Sequence, residues 1–388
     1  MHSKKRPQKI TWFSFLLLVF GFIILFNFKY DIYILIKKSS FFLFSLVILF
    51  SACSTDLAVI GNYKETMVVY GLLDQSQLKQ YIKINKAFLG EGNAFEYAQI
   101  KDSSQFVNSL SVVLKRIKNG VEIDSYNFSP DNTIEKNPGV FYAPEQSNAI
   151  YSFETPAGTL NVDSDYKLIV KNNQSGKEIS AQTALVNDFG NLSSPNPNSP
   201  FFNCILANNN NYKYQVAWQT GKNAKIYQLV IRLNYYDSTE TGNVQQKLDW
   251  IFPEQKTQGL GGGESMKNEF VGQIYMQFVG NQLNDYPGLL ARIPGQLDQN
   301  KKNLMADIIV IAGGDDLNTF IEVNKPSTSI IQEKPEFTNI TNGLGLLSSR
   351  YTRSAFSKPL SVTTWDSLSC GQYTKGLKFK NHLGVICQ

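Results

Sequence analysis

The amino-acid sequence predicts a mainly β protein, in which an N-terminal sandwich is followed by a larger β-rich domain with one or two helices. Three observations lead to this fold class. Short segments of β-branched or alternating apolar residues recur between positions 66 and 186, separated by turn-forming residues. A stretch rich in proline and asparagine follows at 188–203. Longer alternating segments then resume, with one clear helical period among them.

The first predicted domain covers residues 65–187. Its clearest element is a hairpin of strands 111–118 and 121–128, because the intervening Asn119-Gly120 is a sequence that a type I′ turn favours. The other predicted strands are 66–72, 80–87, 140–142, 149–153, 165–171 and 177–185. Seven or so short strands in about 120 residues, without a long helical period, predict an immunoglobulin-like sandwich.

Residues 188–203 are predicted to form a linker between two domains. Pro195, Pro197 and Pro200 lie there among asparagine and serine, without periodic apolar residues. Such a composition is typical of an irregular connection rather than of a packed element.

The second domain is predicted over residues 204–388. A helix near 264–283 is expected because Met266, Phe270, Ile274 and Phe278 recur at helical spacing. The predicted strands are 213–220, 225–236, 244–252, 289–293 and 304–312, and a short helix at 315–323 ends before Pro326.

The N-terminal residues have the pattern of a bacterial export signal. An apolar segment at 41–50 follows two lysines and ends in Ser51-Ala52-Cys53. Basic residues hold such a signal on the cytoplasmic side, the apolar run enters the bilayer, and small residues fit the peptidase before the cut. The pattern predicts that residues 1–52 form a lipoprotein signal peptide and that Cys53 is lipidated.

A second apolar segment at 10–28 precedes this signal and is long enough to be a membrane-span candidate. Either a transmembrane helix precedes an internal lipoprotein signal, or translation begins near Leu35 at a codon other than AUG. The second interpretation is favoured because no methionine lies between Met1 and Met67. In both cases residues 53–64 are a tether that follows the lipid anchor.

The formal net charge of +5 belongs to the leader. Without residues 1–52, the chain has 30 basic and 31 acidic side chains. Because binding to phosphate backbones depends on surplus lysine and arginine, nucleic acid is excluded as an expected partner.

Several motifs occur together near both ends of the mature chain. Those toward the C-terminus are Phe320, Asn324-Lys325-Pro326-Ser327-Thr328, Gln332-Glu333-Lys334-Pro335, Phe337-Thr338-Asn339-Ile340-Thr341-Asn342-Gly343-Leu344-Gly345-Leu346 and Ser348-Ser349-Arg350. Those toward the N-terminus are Met67-Val68-Val69-Tyr70-Gly71-Leu72 and Tyr81-Ile82-Lys83-Ile84. Over residues 53–379, the chain resembles a Bacteroidota family of outer-membrane lipoproteins built on a domain of unknown function.

The resemblance implies a place in the cell envelope, with a lipid anchor in the outer membrane. Members of that family are often associated with TonB-dependent receptors, so such a receptor is the expected partner. The family has no established reaction, and no catalytic residue is implied. Only Asp56 follows Cys53 as an acidic residue near the anchor, so the periplasmic and the surface face of the membrane both stay open.

Candidate catalytic residues are few in the mature chain. Its one histidine is His382, near the C-terminus. The visible pair of carboxylates, Asp315-Asp316, opens a predicted helix, where acidic residues usually complement the helix dipole. No zinc or phosphate-binding motif is present, and no cofactor is expected. A non-enzymatic binding protein is therefore predicted, with a structural or adhesive envelope protein and a carboxylate hydrolase as alternatives.

Two further predictions concern the C-terminal half. Residues 324–350, with exposed-looking Lys325, Glu333 and Arg350, are the predicted interaction segment, and a packed crossover between strands is the alternative. Cys370 and Cys387 can close a loop through a disulfide, since export permits such bonds. That pairing leaves Cys204 over, and three unpaired thiols are the alternative.

The tryptophans of the mature chain are Trp218, Trp250 and Trp365. They are expected in the core, because Trp250 shares an alternating face with Leu248 and Phe252, although indole rings also provide stacking surfaces for sugars and peptides.

Overall fold

A computed structural model describes residues 64–88, 93–136, 149–156, 159–190, 192, 213–298, 300, 305–326 and 336–387. The predicted leader, the lipidation site Cys53, Cys204, Glu333 and the predicted strand at 140–142 lie outside the described residues. Residues Asn62–Gln388 form one compact unit.

Among its described residues, the first half of this unit contains short strands and two single-turn helices. The strands are β1 (Thr66–Asp74), β2 (Lys79–Ala87), β3 (Leu110–Lys118), β4 (Val121–Pro130), β5 (Ile150–Glu154), β6 (Asp165–Asn172) and β7 (Glu178–Ala184). The helices are α1 (Ala94–Ala98) and α2 (Lys101–Ser104).

The described part of the second half has longer strands and three further helices. The strands are β8 (Lys213–Gln219), β9 (Ile226–Thr239), β10 (Gly242–Ile251), β11 (Gln255–Lys256), β12 (Ser265–Val271), β13 (Leu289–Pro294), β14 (Ala306–Gly313) and β15 (Leu344–Lys358). The helices are α3 (Gly272–Gln282), α4 (Asp315–Asn324) and α5 (Val362–Cys370), and a 3₁₀ turn follows at Lys375–Leu377. The predicted mainly β fold is confirmed.

One large sheet runs through both halves. Its strand order is β10-β9-β14-β15-β1-β2-β5-β4-β3-β6-β7, with β11 and β13 also paired to β9. Strand β15 pairs in parallel with β1 and antiparallel with β14. The last strand of the chain therefore joins the sheet of the second half to the first strand of the first half.

The buried apolar side chains of the described residues form two hydrophobic cores along this sheet. The first contains buried side chains from β1 to Leu185, and the second begins at Val186. Ile340 and Leu347 belong to the first core although they follow α4 in sequence. The C-terminal segment thus completes the N-terminal core, which local sequence patterns do not indicate.

The predicted hairpin at Asn119-Gly120 is confirmed. Both residues have positive φ, 51° for Asn119 and 79° for Gly120, as a type I′ turn requires. Strands β3 and β4 pair on either side of it, with a register shift between Arg116 and Ile117.

The helix predicted near 264–283 begins later, at Gly272. Residues Ser265–Val271 form β12 instead and pair with β8. Met266 and Phe270 are four residues apart, a spacing that places side chains on one face of a helix and equally on one face of a strand. The helical prediction is wrong for residues 265–271, because the sequence pattern does not show the pairing with β8 that selects a strand.

The predicted linker at 188–203 is described only for its first residues. Phe189 and Leu192 are buried in the second core, and the peptide N–H of Gly190 bonds to the carbonyl of Gln219. This part of the segment is therefore packed and is not an exposed linker. In the described part of the chain, the structure contains no helix that is both long and apolar enough to cross a membrane.

Candidate functional site

An open groove of about 470 Å³ lies where α4 faces strands β1, β2 and β15. We call it the α4 groove. Its lining is apolar over most of its length and polar at one end. The lining residues are Tyr70, Gly71, Leu72, Asp74, Gln77, Lys79, Gln80, Tyr81, Leu317, Phe320, Ile321, Leu346 and Arg350.

The floor of the groove is the face of the sheet that points away from the first core. In β1, Val69 and Leu73 are buried in that core, so Tyr70 and Leu72 point to the opposite face. Tyr70 stays 44% exposed there, and Tyr81 of β2 stays 40% exposed. Strand β1 is apolar on both faces because one packs in the core and the other lines the groove.

One wall of the groove is α4. This helix begins after Gly314, and its half-buried residues Leu317, Phe320 and Ile321 line the groove. The ring of Phe320 meets that of Tyr70 edge-on, with centroids 5.9 Å apart. Such pairs add to the stability that burial provides.

Close backbone packing holds β15 against β1. Gly345 has φ +112°, and a Cβ atom at this position would overlap the carbonyl oxygen of Val69. Only glycine fits such a conformation without strain. The glycine therefore lets β15 approach β1 closely enough to bring Leu346 beside Tyr70, its partner in the register.

The side chain of Asn339 secures the start of β15. Its Oδ1 accepts from the N–H of Leu347 at 2.9 Å, and its Nδ2 donates to the carbonyl of Leu347 at 2.7 Å. The side-chain amide thus pairs with both backbone groups of Leu347, as a residue of a neighbouring strand would. Nδ2 also donates to Asp316 at the beginning of α4, so Asn339 connects the helix to the strand.

The polar end of the groove is organised around Asp74, which is 2% exposed. Its Oδ1 accepts from the N–H of Ser76 at 3.0 Å and from its hydroxyl at 2.5 Å. Its Oδ2 accepts from Nε of Arg350 at 3.2 Å. The two terminal nitrogens of Arg350 have no hydrogen-bond partner among the described residues.

Lys79 supplies a second cation at this end. Its ammonium contacts the buried carboxylate of Asp131 at 2.8 Å and Glu154 at 3.5 Å, and lies 5.7 Å from the centre of the Tyr81 ring. The hydrogen bond between Lys79 and Asp131 raises the pKa of the lysine and holds the pKa of the carboxyl well below its usual range. Both groups are therefore charged at neutral pH.

The predicted interaction segment at 324–350 is only partly present at this site. Arg350 lines the groove, whereas Lys325 follows α4 and pairs with Glu322 and Glu254. Residues 336–343 lead into β15, with Ile340 buried in the first core and Asn339 bonded to Asp316 of α4 and to Leu347 of β15. In its described part, the segment is thus mainly a crossover into β15, which was the alternative.

The other candidate residues lie in ordinary structural environments. Asp315 and Asp316 open α4, and burial raises the pKa of Asp316, whose carboxylate accepts from Asn339. His382 Nδ1 contacts Asp366 at 2.6 Å. Cys370 and Cys387 form a disulfide bond, with Cα atoms 5.0 Å apart. Across the described ranges, no group of three histidine, cysteine or acidic residues is placed to hold a metal ion.

The three tryptophans belong to the second core. Trp218 is fully buried, and Trp250 stacks on Phe278 with centroids 5.6 Å apart. Trp365 packs against the same core and donates from Nε1 to the carbonyl of Lys380 at 2.7 Å. The expectation of a core position is confirmed for Trp218, whereas Trp250 and Trp365 are partly buried at the edge of that core.

Sequence reasoning missed the principal residues of the groove, namely Tyr70, Tyr81, Phe320 and Asp74. One signal was present, because the segment Met67–Leu73 is apolar at every position and not only at alternate ones. A strand of this kind is covered or used on both faces. The sequence does not indicate that α4 packs beside this strand.

No protein-family model matches this chain, and no curated protein matches it. Among solved structures, the C-terminal globular domain of an oligosaccharyltransferase from Pyrococcus abyssi is similar at 11% identity and a TM-score of 0.20. The match covers 57% of this chain and 44% of that one, so the chain spans less than half the length of that structure. A likeness at this TM-score carries no argument about fold or function.

Proposed function

We propose that this protein is a lipid-anchored component of the bacterial cell envelope that acts by binding a partner protein in the α4 groove, and not by catalysis. The observation that carries the proposal is the row of accessible aromatic rings, Tyr70, Tyr81 and Phe320, beside the cation Arg350. Aromatic and arginine side chains are the groups that most often dominate the energy of protein interfaces.

The shape and position of the groove support binding. It lies between structural elements of the two halves of the compact unit, where ligand sites are commonly found. Tyr70 and Tyr81 expose apolar ring surface next to Leu72 and Leu346. This apolar surface is accessible to a side chain of a partner.

The lining of the groove speaks against a carboxylate hydrolase. Such an enzyme needs two carboxyl groups facing each other across the substrate. Asp74 is the one carboxylate that lines the groove in the described part of the chain. Its Oδ1 accepts hydrogen bonds from Ser76 and its Oδ2 accepts one from Arg350. It therefore has a positioning role in this proposal.

The expected partner follows from the family resemblance. The motifs that carry it lie at opposite ends of the mature chain, yet Tyr70, Leu72, Phe320, Leu346 and Arg350 from these motifs all line the same groove. We therefore propose a TonB-dependent outer-membrane receptor as the partner, with the lipid on Cys53 holding the protein beside it.

The test is affinity purification of the tagged protein from detergent-solubilised membranes, followed by mass spectrometry. The variant Tyr70→Ala/Phe320→Ala removes two rings of the groove. Its matched control is Phe95→Ala/Ile100→Ala, since these exposed apolar residues belong to the segment of α1 and α2, away from the groove lining. We expect the wild type and the control to enrich an outer-membrane receptor and the groove variant to lose it.

Thermal melts of the three proteins must agree before the result is interpreted. Equal enrichment of the receptor by the groove variant and the wild type would overturn the proposal. It would also be overturned if the purified wild type hydrolysed glycan or peptide and Asp74→Asn abolished that activity.

A further inference from the structure

We infer that the polar end of the α4 groove is a carboxylate-recognition site, and that the occupant of the groove is a peptide segment with a large apolar side chain beside an acidic group. The inference rests on the proposed function and specifies the chemistry of the partner. It follows from the orientation of Arg350, the apolar surface beside it and the backbone pairing of β1.

The contacts of Arg350 leave the two terminal nitrogens of its guanidinium group available to a ligand. A guanidinium group can bind a carboxylate through its two terminal nitrogens in a bidentate manner. In Arg350, Asp74 engages only Nε, and the terminal nitrogens have no protein partner among the described residues. The contact with Asp74 therefore orients the group and leaves the end that suits a carboxylate free.

The group that orients Arg350 is itself well anchored. Asp74 is buried and accepts two hydrogen bonds from Ser76. Its backbone N–H and carbonyl both bond to the side-chain amide of the buried Gln80, at 2.8 Å each. Because its support is fixed, Arg350 loses less conformational freedom when it binds a ligand, which raises affinity.

The two cations at this end differ in how their donors are used. Lys79 is paired with the carboxylates of Asp131 and Glu154, which together compensate its charge. Arg350 contacts the carboxylate of Asp74 through Nε alone. The terminal nitrogens of Arg350 are thus the cationic donors that remain to pair with an acidic group of the ligand.

The remainder of the groove accepts an apolar side chain. Tyr70, Leu72, Phe320 and Leu346 present ring and aliphatic surface next to the charged end. A glycan would need polar partners along its whole length, whereas these lie at one end only. An acyl chain would need an enclosed cavity, whereas this groove is open. A peptide that combines an apolar and an acidic residue fits both parts.

The backbone of β1 cannot take part in strand addition. It pairs with β2 on one side and with β15 on the other, so it offers no free edge. Recognition in the groove must then depend on side-chain anchors, an apolar one at the rings and an anionic one at Arg350.

The experiment is selection of random displayed peptides on the full-length detergent-solubilised protein, followed by affinity measurement with purified peptides. The proteins are the wild type, Arg350→Gln, Tyr70→Ala/Phe320→Ala and, as a control, Lys325→Gln, which removes an exposed cation outside the groove lining. Circular dichroism and melting curves establish that each variant is folded.

We expect the wild type and Lys325→Gln to select peptides with an acidic group next to a large apolar residue. Arg350→Gln should still select apolar residues but lose the acidic one. For a selected peptide, Arg350→Gln or amidation of its acidic group should each weaken binding about tenfold, and the two together no further.

Two results would overturn the inference. One is undiminished acidic selection by Arg350→Gln, or no effect of amidation. If Tyr70→Ala/Phe320→Ala then abolished binding, the proposed groove would stand and only carboxylate recognition would fail. The other is the absence of any selected peptide. This holds also if the wild type binds an acidic glycan such as oligogalacturonate, which is measured in parallel. If every groove variant bound the selected peptides as well as the wild type does, the proposed function itself would be contradicted.

Discussion

Arg350 donates from Nε to Oδ2 of Asp74 across 3.2 Å, and the two residues are direct partners in the parallel pairing of β15 with β1. They are 276 positions apart in sequence. Asp74 is buried, whereas the side chain of Arg350 is 44% exposed at the groove. The pair therefore contributes to the junction of the two strands and also to the orientation of a cation at the candidate site.

We expect Asp74→Ala to destabilise the protein by about 2 kcal/mol, because the hydrogen bonds from Ser76 and Arg350 lose a charged acceptor. Arg350→Ala should cost less, since a partly exposed ion pair contributes about 1 kcal/mol or less. A double-mutant cycle by chemical denaturation measures the coupling between them. The exposed Asp315→Ala serves as the control, and a loss no larger than its own would contradict the expectation.

Gly345→Ala should destabilise the protein by more than about 2 kcal/mol, because positive φ and overlap with Val69 oppose a side chain. Gly261→Ala is the matched control, since Gly261 lies in the glycine-rich segment 259–263 and a Cβ added there meets no atom within 4 Å. Thermal and denaturant unfolding compare the two variants. Similar stability of both would show that β15 does not approach β1 as closely as described.

The pH dependence of stability should contain a contribution from Asp131. Its pKa is lowered in the folded state, chiefly by the hydrogen bond from Lys79. A lowered pKa stabilises the fold above the unfolded value of about 3.9, and this stability is lost as the pH falls through the folded value.

We therefore expect Asp131→Asn to be about 2 kcal/mol less stable than the wild type between pH 5 and 7. The difference should shrink as the pH falls below about 4. Denaturant titrations across this range provide the measurement, with Asp315→Asn as the control. A difference that stayed constant down to pH 2 would contradict a charged, paired Asp131.

Reduction of the disulfide between Cys370 and Cys387 should lower stability by about 3 kcal/mol, because the bond closes a loop with a sequence separation of 17. Cys370→Ser/Cys387→Ser should melt at the same temperature with and without reductant. The wild type should melt higher in oxidising buffer and match the variant after reduction. Mass spectrometry of the unreduced protein should find the two cysteines linked, and free thiols at both would refute the pairing.

Labelling with an alkyne fatty acid should mark the wild-type protein but not Cys53→Ala, and only the wild type should fractionate with membranes. The expectation follows from the apolar run that ends in Ser51-Ala52-Cys53. Cys204→Ser provides a control for labelling at another thiol. A labelled, membrane-bound Cys53→Ala protein would show that the anchor lies elsewhere.

Sequence reasoning succeeded where neighbouring residues decide the structure. The hairpin at Asn119-Gly120 follows from two backbone conformations that these residues tolerate. The helix after Gly313-Gly314 follows from its acidic first turn and from Pro326, which ends it. The mainly β fold follows from alternation over many short segments.

Long-range contacts decided what the sequence left open. The four-residue spacing of Met266 and Phe270 suits a helix and a strand equally, and only pairing with β8 selects the strand. In the same way, Tyr70 and Phe320 lie in unrelated segments until β15 inserts between β1 and β14 and brings α4 beside the sheet. Alternation shows which residues share a face of a strand. Which element packs against that face is decided by segments far away in the sequence, and contacts with distant segments leave no local periodicity.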